Sequence, residues 1–214
     1  MIRAVIFDMD GVLFDTERLG LSIQLKVCGE MGYTSAEGPI MRTVGVTMAA
    51  GRQIMLEALG EDFPYDRLID RWTELMKVNI NENGMPMKPG VGALLQALKS
   101  KGIRAALATS NNREIVDMYL RLSGLEDAFE AVIAGDTLKR SKPAPDIYLK
   151  AADALGVPPE ACMGVEDSVN GVRAVRAAGM VSVMVPDLLP FSPELAPFVD
   201  YCVPSLLEVI PLLS

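Results

Sequence analysis

The sequence predicts an α/β protein built on a doubly wound parallel sheet, with a helical insertion after the first strand. Three observations lead to this expectation. A short β-rich apolar run, IRAVIF (2–7), ends abruptly at Asp8 and reads as a buried strand. From about residue 88 onward, helical stretches alternate with short apolar strands. Between these regions, residues 16–83 carry helical periodicity and no convincing strand.

Taken in order, the insertion shows its periodicity in Leu19, Ile23, Val27 and Met31. After it, Val91, Leu94, Leu95 and Leu98 follow i, i+3, i+4, i+7 spacing, Gly102 stops the helix, and IRAALAT (103–109) supplies a strand. The unit repeats with Ile115, Val116, Tyr119 and Leu120 before Gly124 and the strand AVIA (131–134). A third helix carries Ile147, Tyr148, Ala151 and Leu155, ends at Gly156 and precedes CMGV (162–165). A fourth carries Val169, Val172 and Val175, stops at Gly179 and leads into VSVMV (181–185). Parallel neighbours need a crossover connection, so this alternation implies a Rossmann-like, three-layer α/β/α sheet covered on both faces. The expected division is a core domain of residues 1–15 and 84–214 and an inserted helical domain of residues 16–83. The stretch DLLPFSPELAP (187–197) reads as a proline-punctuated loop over the surface.

Composition narrows the function classes. Half of the 214 residues are hydrophobic and 22% are charged, as in an ordinary globular protein. A net charge of −8 and a pI near 4.7 argue against non-specific binding to nucleic acid or anionic membranes. An anionic ligand must therefore be drawn in locally, by a cation or by oriented backbone N–H groups. Neither a secretory h-region nor an apolar run long enough to span a bilayer is evident, so a cytoplasmic protein is expected. Cys28, Cys162 and Cys202 are far apart and set in apolar surroundings, which reads as buried free thiols. The chain has no histidine, which removes Ser-His-Asp and Cys-His triads, histidine zinc sites and imidazole acid–base chemistry together.

Four segments place polar residues after apolar strands: Asp8-Met9-Asp10-Gly11, Thr109-Ser110-Asn111, Ser141-Lys142-Pro143 and Glu166-Asp167-Ser168. The third follows its strand less closely. Ligands of such sheets bind outside the carboxyl ends of the strands, so these segments are expected to share one crevice. Four carboxylates there would repel one another without a divalent cation, and all-oxygen ligation favours magnesium.

The strings FDMDGVLFDT (7–16), ALATSN (106–111), SKPAPDIYL (141–149) and GVEDSVNGVRAVRAAGM (164–180) resemble the haloacid dehalogenase-like phosphotransferases. The likeness is to the subgroup with a small helical cap that includes β-phosphoglucomutase and many sugar-phosphate phosphatases. It implies that Asp8 is a nucleophile that becomes phosphorylated. Asp10 would be the general acid and base, its backbone carbonyl also ligating the metal. Gly11, Thr109, Ser110, Asn111 and Lys142 would hold the phosphate, with Lys142 neutralising charge on it and on Asp8. Asp8, Asp10, Glu166 and Asp167 would bind Mg2+, Glu166 either directly or through water. The resemblance also implies a monomer acting on a small phosphorylated metabolite.

Two positions bear on the reaction. Where the mutases carry a cap histidine this chain has Gly20, and where they carry a phosphate-binding arginine it reads Gly45-Val46-Thr47-Met48. A mutase must grip a second phosphate and keep water from its phospho-aspartate, so these departures favour hydrolysis. Arg42, Arg52 and Lys77 read as solvated helix faces, while Glu17 and Arg18 lie just beyond the hinge at Asp15-Thr16. Receiver domains of response regulators also combine an acidic cluster, a strand-end Thr and a Lys-Pro pair. They lack both a DxD on the first strand and a long helical insertion after it.

Overall fold

The computed structural model describes residues 1–46 and 48–213. Two compact units divide the chain: Met1–Asp15 with Met87–Ser214, and Thr16–Pro86. The first holds a six-stranded parallel sheet in the order β3-β2-β1-β4-β5-β6. Its strands are β1 (Ala4–Phe7), β2 (Arg104–Thr109), β3 (Ala131–Ala134), β4 (Cys162–Glu166), β5 (Val181–Met184) and β6 (Tyr201–Cys202). Helices α5 (Val91–Lys101), α6 (Arg113–Ser123), α7 (Asp146–Leu155) and α8 (Val169–Ala177) make the crossovers. This is the Rossmann-like α/β architecture that the alternating pattern implies.

Side chains alternate across a strand, yet all four residues of β1 are buried, so the sheet is covered on both faces. Ala4 and Ile6 share one face with Ala106, Ala108 and Ile133. Against them pack Ile147, Tyr148, Ala151 and Leu155 of α7 and Ala174 and Val175 of α8. The small residues of β2 let α7 approach closely. Phe7 turns to the opposite face, where its ring meets Phe129 edge-on at 6.1 Å.

Strand register is what positions the chemistry. Phe7 pairs with Leu107 on one side and Val165 on the other. The next residue, Asp8, donates its N–H to Val165 O at 2.9 Å, so it emerges beside Glu166, with Thr109 two residues beyond Leu107 on the other flank. Three of the four polar segments thus leave the sheet at adjacent strand ends.

Among the described residues of the second unit the elements are all helices: α1 (Thr16–Glu30), α2 (Glu37–Met41), α3 (Met48–Leu59) and α4 (Tyr65–Asn83). Helices α1 and α4 pack together, and Trp72 Nε1 donates to Gly20 O at 3.1 Å. Tyr33 and Phe63 close the far end edge-on, with ring centroids 4.8 Å apart. The two crossings between the units are stitched within the first one. Phe14 bridges Met87, and Lys88 N–H donates to Leu13 O at 2.9 Å.

Three features depart from the sequence reading. The short edge strand β6 carries too little apolar periodicity to be recognised. Cys202 lies on it and is exposed, unlike buried Cys28 and Cys162, because an edge strand covers only one of its flanks. The proline-rich stretch is more than a surface loop, since Leu195 is buried with Val172 and Met184 in a small core of its own. No helix among the described residues is long and apolar enough to cross a membrane.

Leu155 is 1% exposed at the end of α7. Replacing it with alanine should lower unfolding free energy by about 2–5 kcal/mol in urea denaturation. A loss below about 1 kcal/mol would mean that α7 is not packed as described.

Candidate active site

Asp8 directly follows β1 and is only 9% exposed. Lys142 reaches it from the loop after β3: Lys142 Nζ lies 2.5 Å from Asp8 Oδ1, 2.6 Å from Glu166 Oε1 and 3.1 Å from Ala108 O. An ammonium has three N–H donors, and these three acceptors use all of them. The looser placement of Ser141-Lys142-Pro143 in sequence is therefore bridged by the reach of the lysine side chain.

Glu166 is completely buried, which a carboxylate tolerates only when paired and hydrogen-bonded. Its Oε1 accepts from Lys142 and from the Tyr148 hydroxyl, both at 2.6 Å. Its Oε2 accepts from Ser168 Oγ at 3.1 Å and from the N–H groups of Asp167 and Ser168 at 3.2 and 3.4 Å. Ser168 also caps α8, its hydroxyl accepting from Gly171 N–H at 3.1 Å. One turn therefore both starts the helix and seats the carboxylate.

Charges in this space act strongly on one another. Burial pushes the Asp8 carboxyl up to about 8, the ammonium of Lys142 opposing the rise and the charge of Glu166 adding to it. Burial alone would pull Lys142 down, but Asp8 and Glu166 outweigh it and hold the ammonium well above its usual range. Lys142 thus stays charged, one cation facing more than one acid.

Oxygens of Asp8, Glu166 and Asp167 lie within 4.8 Å of one another, an all-oxygen donor set suited to a hard divalent cation. Gly11 makes the room for the Asp167 carboxylate. A Cβ at this position would fall 2.2 Å from Asp167 Oδ2, and its φ of +74° is one that side-chain-bearing residues avoid. The Asp10 side chain stands outside that oxygen group. Its Oδ2 accepts from Asn111 Nδ2 at 2.5 Å, across the gap between β1 and β2.

Thr109 is 1% exposed at the end of β2, and its Oγ1 accepts from Asn111 N–H at 3.2 Å. Ser110 is exposed at the tip of the same loop. Gly135 N–H pins the loop by donating to Asn111 O at 2.8 Å. Asn111 therefore spends its donors on Asp10 and Thr109, a positioning task that the sequence reading did not assign to it. Tyr148 and Ser168 were also missed. Tyr148 sits at a core position of a helical stripe, and only its hydroxyl, which needs a partner when buried, hints at more.

With this geometry established, comparison with known proteins becomes decisive. A model of the haloacid dehalogenase-like hydrolases matches residues 2–179. The chain belongs to this family. Among haloacid dehalogenase-like relatives it is 39% identical over 180 residues to a phosphorylated carbohydrates phosphatase of Thermotoga maritima, covering 84% of this chain and 82% of that one. It is 32% identical over 186 residues to hexitol phosphatase B of Escherichia coli, covering 86% and 84%. The solved β-phosphoglucomutase of Clostridium difficile superposes with a TM-score of 0.74 at 26% identity, over 98% of this chain and 93% of that one. The chain is thus a haloacid dehalogenase-like phosphoric monoester hydrolase of the β-phosphoglucomutase-like subgroup.

Lys142→Met should destabilise the metal-free hydrolase by about 3 kcal/mol, because two buried carboxylates lose their counter-charge. The deficit is read by urea denaturation of the variant and the unaltered protein. A loss under about 1 kcal/mol would give the buried pair no more weight than an exposed one.

Proposed function

We propose that this hydrolase cleaves a small phosphomonoester, a phosphorylated sugar or sugar alcohol, through an aspartyl-phosphate on Asp8. The observation that carries the reading is the pairing of buried Asp8 with Lys142 at 2.5 Å, beside the oxygen cluster of Asp8, Glu166 and Asp167. The sugar class is supported by the relatives whose names specify phosphorylated carbohydrates and hexitols.

In the first half-reaction an Asp8 carboxylate oxygen attacks phosphorus, the new O–P bond forms, and the bond to the leaving oxygen breaks. Asp10 gives its proton to that oxygen, so the alcohol departs neutral. In the second, Asp10 takes a proton from water as its oxygen attacks phosphorus, which frees Asp8 and releases inorganic phosphate. Thr109 Oγ1 and the backbone at Gly11 and Ser110 hold phosphoryl oxygens, while Asn111 steadies Asp10. Lys142 keeps Ala108 O and Glu166 as supports and turns toward the phosphoryl group the N–H it gave to Asp8. Magnesium, held by Asp8, the Asp10 carbonyl and Asp167, with Glu166 directly or through water, would supply charge neutralisation for the phosphate.

Likeness to a solved β-phosphoglucomutase supports a second reading, phosphoryl transfer back to a sugar. Two positions favour hydrolysis. Gly20 supplies no imidazole where the mutases carry one, and it faces Trp72, whose Nε1 would lie in ordinary contact at 3.4 Å from an added Cβ. The arginine position is held by Met48, 57% exposed at the start of α3; the preceding Thr47 of the Gly45-Val46-Thr47-Met48 segment lies outside the described residues.

A panel of phosphorylated sugars and polyols should yield inorganic phosphate with magnesium and none with a chelator. Conversion of β-glucose 1-phosphate to glucose 6-phosphate without phosphate release would decide for the mutase instead. Asp8→Asn should cut kcat on the order of 10⁴-fold or more while leaving thermal unfolding cooperative. Asp10→Asn should cost about 10²- to 10⁴-fold on alkyl phosphates and far less on aryl phosphates, whose leaving oxygens need no proton. An equal loss on both classes would remove Asp10 from the acid role.

A further inference from the structure

Tyr148 is completely buried on α7, where a phenylalanine would fill the same space and require no hydrogen-bond partner. Its hydroxyl instead donates to Glu166 Oε1 at 2.6 Å, the same oxygen that accepts from Lys142 at 2.6 Å. The ring lies beneath the lysine, with Nζ 5.2 Å from its centroid. A phenol carries its proton near neutral pH, so the hydroxyl is a donor.

Glu166 Oε2 is tied to the turn at Asp167 and Ser168, so the freedom left to the carboxylate is rotation that would move Oε1. The Tyr148 hydroxyl opposes that rotation. By sharing Oε1 it also weakens the pull of Glu166 on the ammonium, so that Lys142 is divided between Glu166 and Asp8.

Building on the reading of Asp8 as nucleophile, we propose that Tyr148 is a positioning residue. Its hydroxyl holds Glu166 Oε1 so that Lys142 rests on Asp8 and on the phosphoryl group that Asp8 receives. The residue touches neither substrate nor metal and acts through Glu166 and Lys142.

Tyr148→Phe removes one oxygen atom and keeps the ring. In the magnesium-loaded enzyme kcat should fall about 10-fold, the scale of one hydrogen bond to a charged group, with KM changed by less than about 2-fold. In a Glu166→Gln background the same substitution should change kcat by less than about 2-fold, because the carboxylate it acts through is gone. An unchanged kcat for Tyr148→Phe, or an equal loss in both backgrounds, would overturn the proposal. A packing role alone would lower urea stability without altering kcat per folded molecule.

A crystal structure of metal-free Tyr148→Phe reads the geometry independently of turnover. Lys142 Nζ displaced from Asp8 toward Glu166 supports the inference, and an ammonium left where it is refutes it. If wild-type protein releases phosphate from no ester, the proposed function fails separately, while that crystal structure still decides whether Tyr148 positions Lys142.

Discussion

The site depends on one buried ammonium. Lys142 bridges Asp8 and Glu166 and takes its remaining acceptor from Ala108 O, joining three strand ends and the loop after β3 around one charge. Carboxylates this deeply buried would otherwise each cost several kcal/mol of desolvation. Adjacent parallel strands bring the acids together whether or not electrostatics favours it. The lysine makes that convergence tolerable, and it leaves an excess of negative charge that suits a divalent cation.

Much of the core was legible because its signals are local. IRAVIF ends where the strand must leave the sheet, and the alternation of helical stripes with AVIA, CMGV and VSVMV dictates a crossover topology. The polar segments stood out because each follows an apolar run. Asp8, Thr109 and Glu166 then emerge at neighbouring strand ends by register, a property of strand order that alternating helices and strands suggest but do not specify.

What escaped the sequence is side-chain pairing across long separations. Nothing near Tyr148 distinguishes it from a core aromatic, since its partner Glu166 lies on a different strand end. Asn111 is expected from the resemblance to hold phosphate, and its pairing with Asp10 becomes visible only when β1 and β2 stand side by side and its Nδ2 meets Asp10 Oδ2. The exposure of Cys202 likewise depends on its strand closing the edge of the sheet. The helical unit is less informative, because its periodic faces announce helices and say little about which polar residues select a substrate.

The account's central claim is that phosphorus becomes bonded to Asp8. The most direct measurement is mass spectrometry of acid-quenched enzyme caught during turnover of an active phosphate ester, with peptides mapped after proteolysis. The account predicts a phosphoryl adduct on the peptide containing Asp8, lost on mild base treatment as expected of an acyl phosphate. Turnover with that peptide unmodified throughout, or with the adduct on another residue, would contradict it.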